Sequence, residues 1–150
     1  MNRKIVLASL GTLLAAGAIF AYCASSLWFS IQAEANLQAF CCVADVLVEY
    51  LQSGLNEWPR DWATLEAVRP RSQHEFYHWP EKAEEIKARV YIDFRLTIEE
   101  VSDMQPESFS AVGVLGPSFG LHRECVRRLL EAARSSSKKR MNEKESAHRG

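Results

Sequence analysis

IVLASLGTLLAAGAIFAYCASSLWFSIQAEANLQAFCCVADVLVEYLQSG, residues 5–54, decides how this chain is built. Its first 29 residues, 5–33, carry no charge, and Gln32 is their one strongly polar side chain. A helix needs about 20 apolar residues to cross the hydrocarbon core of a bilayer, so the run predicts a membrane span. A signal peptide would have a shorter apolar region ending at a small-residue cleavage site. Ala16-Gly17-Ala18 offers such a site, but Ile19, Phe20, Leu27, Trp28, Phe29 and Ile31 carry the apolar run well past it. The segment therefore reads as a retained single-pass anchor that meets the lipid bilayer through residues 5–31.

Orientation follows from the basic residues beside the span. Arg3, Lys4 and the terminal amine precede it, whereas Arg60 is the first basic residue after it, behind Glu34, Asp45, Glu49 and Glu57. The N-terminus is expected in the cytoplasm and the C-terminal domain outside it, at the cell membrane of a bacterial envelope. Trp28 and Phe29 suit the outer interface, where aromatic side chains concentrate.

Beyond the span the apolar residues Leu37, Phe40, Cys41, Ala44, Leu47, Val48 and Leu51 trace one helical face, with no breaker between them and the membrane segment. One long helix, membrane-spanning and then amphipathic, is predicted to about residue 53, with Gly54 in its C-terminal cap. Its outer half needs a partner to cover the stripe.

The 150 residues include 7 Gly, 5 Pro and 4 Cys and are 25% charged, which excludes collagenous, disulfide-dense and wholly disordered classes. A net charge of −1 conceals three pieces: residues 1–33 carry +2, residues 34–133 carry −7 and residues 134–150 carry +4. An acidic body argues against nucleic acid as a partner, because that affinity comes from a basic surface releasing counterions.

After Gly54 a Trp- and Pro-bearing connection leads to Asp61, which can cap a short helix over 62–68. Ser72 opens a second short segment closed by Pro80. Ile86, Ala88, Val90, Ile92, Phe94, Leu96 and Ile98 alternate with mostly polar residues and predict a half-buried strand. Thr97 and Glu100 have capping-box spacing, predicting a brief helix to about Met104. A second strand is expected over 109–115, and a last helix over 119–134. Residues 135–150, rich in Ser, Lys and Arg, are expected to form a disordered, solvated basic tail, in which Lys138, Lys139, Arg140, Lys144 and Arg149 could touch anionic lipid or cell-wall polymer. The fold class is thus α+β: a long N-terminal helix packed with a small antiparallel sheet and a C-terminal helix. The organisation is 1–33 as cytoplasmic stub and transmembrane helix, 34–134 as extracytoplasmic domain and 135–150 as tail.

The half-embedded helix followed by Tyr50-Leu51, Gly54, Trp58-Pro59, Leu65 and then strands resembles the layout of bacterial type IV pilins and type II secretion pseudopilins. The resemblance implies an envelope protein with an assembly role. It covers residues 5–115 as architecture and only those few residues as sequence. Gly11 is followed by Thr12 and Ala16, so the family's leader motif and its Glu at the fifth mature position are absent.

One motif carries chemistry. His74-Glu75-Phe76-Tyr77-His78 fits H-E-x-x-H, in which two His one helical turn apart bind zinc and the Glu is general base to a metal-bound water. Pro80 limits the helix available, and Ser72 with Glu75 has capping-box spacing that would turn Glu75 towards the backbone. A third ligand is needed: Glu99 and Glu100 follow 21 and 22 residues on, near the spacing of glutamate-type zincins, but beyond the strand and not on a second long helix, or His122 and Cys125 could complete a four-ligand set with His74 and His78. Cys23 lies in the span. Cys125 could pair with Cys41 or with Cys42 in an oxidising compartment, or all three could pack as small apolar residues. Trp58, Trp62, Tyr77 and Trp79 could form a partner surface or seal the core. There is no Walker loop, Gly-rich dinucleotide turn or Gly-x-Ser-x-Gly elbow.

The expected function is a non-enzymatic, membrane-anchored assembly or interaction module, meeting a protein partner or its own copies, with no cofactor and no catalytic residue. The alternative is a membrane-anchored zinc hydrolase with His74 and His78 as ligands and Glu75 as base.

Overall fold

A computed structural model describes residues 3–68, 79, 80 and 82–148. The long helix, α1, is Arg3–Tyr50, 48 residues without a proline, about 72 Å at 1.5 Å per residue. It changes environment along its length. Leu13, Leu14, Ile19, Phe20, Leu27 and Trp28 are exposed, whereas Ala33, Phe40, Cys41, Val43, Val46 and Leu47 are fully buried. The outer half is enclosed more completely than a single stripe would need, since Cys42, Val43, Val46 and Tyr50 are buried as well. A helix that is apolar nearly all round belongs in the centre of a domain, and that is where α1 lies.

A π-helical turn, Leu51–Leu55, ends it, with Gly54 in the left-handed region at φ 93° as the cap requires. The short helix α2 is Trp62–Glu66, and the Asp61 carboxylate accepts the Thr64 amide at 2.8 Å at its start. Helix α3, Ala83–Lys87, precedes strand β1, Val90–Ile92; helix α4 is Ile98–Asp103; strand β2 is Val112–Val114; helix α5 is Arg123–His148. The two strands pair antiparallel, Val90 opposite Val114 and Ile92 opposite Val112. The architecture is α+β: α1 packs against α5, both strands and α2, and α5 packs against α4 and the π turn.

Three expectations change. The alternating segment 86–98 is a strand only at its centre. The Asp93 carboxylate accepts the Arg95 amide at 3.1 Å and turns the chain, and Thr97 then opens α4 with the full capping box to Glu100. Ile86 and Ile98 are buried as predicted, but from helices. The second strand shortens from 109–115 to β2, although Leu115 N–H to Arg89 O and Asp93 N–H to Ala111 O extend the pairing at both ends. The last helix starts at Arg123 and continues to His148 through most of the segment expected to be a disordered tail. No Gly or Pro interrupts it, and its polar residues have partners in the fold. Ser136 Oγ donates to the Leu51 carbonyl at 3.0 Å, a group the π turn leaves available, and the Asn56 amide donates to Glu143 at 3.2 Å.

Candidate functional site

The two long helices run in the same direction and are joined by successive polar rungs. Cys125 Sγ lies 2.7 Å from Cys41 Sγ, Arg128 meets Asp45 at 2.8 Å, and Ser136 meets the Leu51 carbonyl. The lowest of these rungs holds two of the chain's four cysteines. Cys41 is fully buried, Cys125 is 6% exposed, and His122, one turn earlier at the surface, places Nδ1 3.5 Å from Cys125 Sγ.

Local sequence explains the contact. Cys41 belongs to the apolar stripe of α1, and Cys125 is the third residue of α5, where Val126, Leu129 and Leu130 turn the same face inward. The Cys41 sulfur, followed by the nearby His122 imidazole, holds the Cys125 thiol down to about 7, against a burial penalty. Its place in the first turn of α5 favours the thiolate further. Cys42 is opposite in character: burial, then the Asp45 carboxylate, pushes its thiol up to about 11. One of two adjacent cysteines is therefore set beside a partner and the other is held as an inert thiol.

Cys41, His122 and Cys125 together offer donor atoms within 4.8 Å of one another. Two thiolates on one tetrahedral zinc, each with a bond of about 2.3 Å, stand about 3.8 Å apart. The sulfurs lie 2.7 Å apart, shorter than that separation and longer than the roughly 2.03–2.05 Å of a disulfide bond. The geometry suits sulfur–sulfur chemistry better than chelation.

His74, Glu75 and His78 lie outside the described residues, as does Tyr77. The four-ligand set combining His74 and His78 with His122 and Cys125 falls partly outside them too. Glu99 and Glu100 are both on α4, where Glu100 completes the capping box. Trp58 is buried with its indole N–H on the Asp93 carbonyl at 3.0 Å, Trp62 packs edge-on to Phe94 and Trp79 packs against the core, so these three seal the domain.

The sequence reading missed a second cluster, where α1 enters the domain. Arg89 donates to Asn36 Oδ1 at 2.9 Å and Gln32 Oε1 at 3.3 Å, while the buried Asn36 amide donates to the Pro117 carbonyl at 2.8 Å. Just below, Phe119 packs edge-to-face on Phe29 with ring centres 5.6 Å apart, and Phe119 and Leu115 are exposed. Gly116 and Gly120, both at positive φ, bracket this loop and were its one visible signal. Comparison with protein families, curated proteins and solved structures finds no match to this chain.

Proposed function

We propose that the chain is a single-pass membrane protein, N-terminus in the cytoplasm, whose α+β domain stands on the outer face of the membrane as an assembly or interaction module. The observation that carries this reading is the change along α1. From Leu13 to Ile31 it presents large apolar side chains to the surroundings, and the same helix becomes the enclosed centre of the domain from Ala33 onward. Water would not tolerate the first half, and a bilayer is the solvent that suits it. Phe119, packed on Phe29, extends the apolar surface into the interfacial layer, and exposed Leu115 in the same loop adds to it, seating the domain on the membrane. A helix shared between membrane and domain is also the layout of the pilin-like proteins the sequence resembles, and an assembly role follows from that analogy.

Alkaline carbonate extraction and a C-terminal alkaline phosphatase fusion test the reading. The full chain is expected to resist extraction and the fusion to be active; a soluble full chain or an inactive, stable fusion would refute it. Phe119→Glu is expected to keep anchoring but weaken seating, read as faster exchange of amides in residues 115–120. The zinc-hydrolase alternative rests on His74, Glu75 and His78 in the sequence. Stoichiometric zinc lost in both His74→Ala and His78→Ala, with hydrolysis abolished in Glu75→Gln, would favour it over the module.

A further inference from the structure

We propose that Cys41 and Cys125 form a disulfide that locks the membrane-anchored helix α1 to α5, with Cys125 the first thiol to react and Cys42 left reduced. The inference rests on the outward orientation proposed above only for its oxidant, a low-molecular-weight disulfide or the disulfide of a thiol oxidoreductase.

The two sulfurs come from positions 84 residues apart and meet inside the core, so no local chain constraint forces them together. The side chains that flank them fix the register: Arg128 on Asp45 one turn further along both helices, and the apolar packing of Leu129 and Leu130. Access decides the order of reaction. Cys41 has no exposed surface, whereas Cys125 lies one turn from the surface residue His122 and keeps a small opening. The lowered Cys125 thiol supplies a thiolate near neutrality, and the raised Cys42 thiol does not.

The chemistry balances. Cys125 loses its proton to His122, and its thiolate attacks one sulfur of the oxidant disulfide. That S–S bond breaks, the departing sulfur takes up a proton, and a mixed disulfide remains on Cys125. Cys41 then gives up its proton and attacks Cys125 Sγ, the mixed bond breaks, and the second oxidant sulfur leaves as a thiol. Two protein thiols are oxidised by two electrons and one oxidant disulfide is reduced to two thiols.

The test uses the full chain in detergent micelles, reduced, then exposed to oxidised glutathione, acid-quenched, denatured and labelled with a maleimide. Four labelled thiols before oxidation should fall to two afterwards, with the intact mass lower by two hydrogens. Cys42→Ala should still form the link and leave one labelled thiol; Cys41→Ala should give no intramolecular link. Four labelled thiols after oxidant, with or without bound zinc, or a link that survives Cys41→Ala, would overturn the pairing. Near-ultraviolet circular dichroism of both variants in the reduced state verifies that they are folded. The same count on protein acid-trapped directly from cells separates the two proposals: a reduced pair in cells that forms readily in the purified chain supports the pairing and overturns the outward orientation.

Discussion

At Asn36 a polar side chain enters the core just where the helix leaves its uncharged stretch, and it is kept there by Arg89 and the Pro117 carbonyl. Removing the partner of a buried polar group costs about 1–3 kcal/mol, more than the net worth of the bond. Arg89→Met is therefore expected to lower thermal stability by that amount, and Asn36→Leu combined with it to recover part of the loss. Equal stability of Arg89→Met and the native chain would contradict the role. Neither partner was legible in the sequence, because Arg89 is 53 residues away and nothing local marks it. The cysteines were half legible. The predicted stripe contained Cys41 and not Cys42, but which face of α1 would meet α5 could not be read from either helix alone. Their titrations give a signed prediction. In reduced protein the Cys125 thiol, held to about 7 from an ordinary 9.0, is charged earlier in the folded than in the unfolded chain. Stability from it is fully present above pH 9 and lost as pH falls through about 7. Cys42, raised to about 11, has the opposite sign, with stability present below pH 9 and lost as pH rises through 11. Oxidised protein should keep only the second leg, so the difference between reduced and oxidised melting temperatures should be largest below about pH 7 and narrow towards pH 9. A difference independent of pH would contradict the assignment.

Capping signals marked element starts well. Asp61 and the Thr97–Glu100 box act as their spacing implied, since both are local chemistry between residues three apart. Period two over 86–98 misled: Ile86 on α3, Val90 and Ile92 on β1 and Ile98 on α4 are buried, but Ala88 between them is exposed and Phe94 and Leu96 are half-buried. The decisive Asp93 turn competes with the strand through a side-chain bond that hydrophobicity does not record. For α5 the composition of 135–148 pointed to disorder, yet Ser136, Arg140 and Glu143 reach Leu51, Glu99 and Asn56 on other elements. Deleting residues 135–150 should consequently lower the melting temperature by several degrees, and amides over 135–143 should be protected from exchange; unprotected amides and an unchanged melt would restore the tail. The disulfide closes a loop of 84 residues, worth about 4 kcal/mol on chain-entropy grounds. For a domain of this size each kcal/mol moves Tm by roughly 4–8 °C, so reduction should lower Tm by about 15 °C or more. A shift under about 3 °C would mean that the pair does not form or does not constrain the unfolded chain.

On the scale of the molecule, one helix is built for two surroundings. Its first half has the composition of a membrane span and its second half is the centre of a domain, so anchor and fold share a rigid element without an intervening linker. With that helix in a bilayer, as proposed, the domain could not tumble freely above it. The Phe119 loop packs on Phe29 and the Arg89 cluster ties Gln32 and Asn36, so both brace the junction between the apolar stretch and the domain. This much of the architecture was visible in the uncharged run and the stripe that follows it. The enclosing partners depend on contacts over 80 residues apart and were not.

The most direct test is a scan of single cysteines along α1 in a chain otherwise free of cysteine, using a membrane-impermeant maleimide on intact cells. Leu14→Cys and Leu27→Cys should stay unlabelled, while Gln38→Cys and Gln52→Cys, both exposed on the domain side, should label without lysis. A step from protected to labelled close to residue 33 is the predicted result. Labelling at Leu14→Cys or Leu27→Cys in intact cells, or labelling at Gln38→Cys and Gln52→Cys only after lysis, would contradict a span that ends where the domain begins.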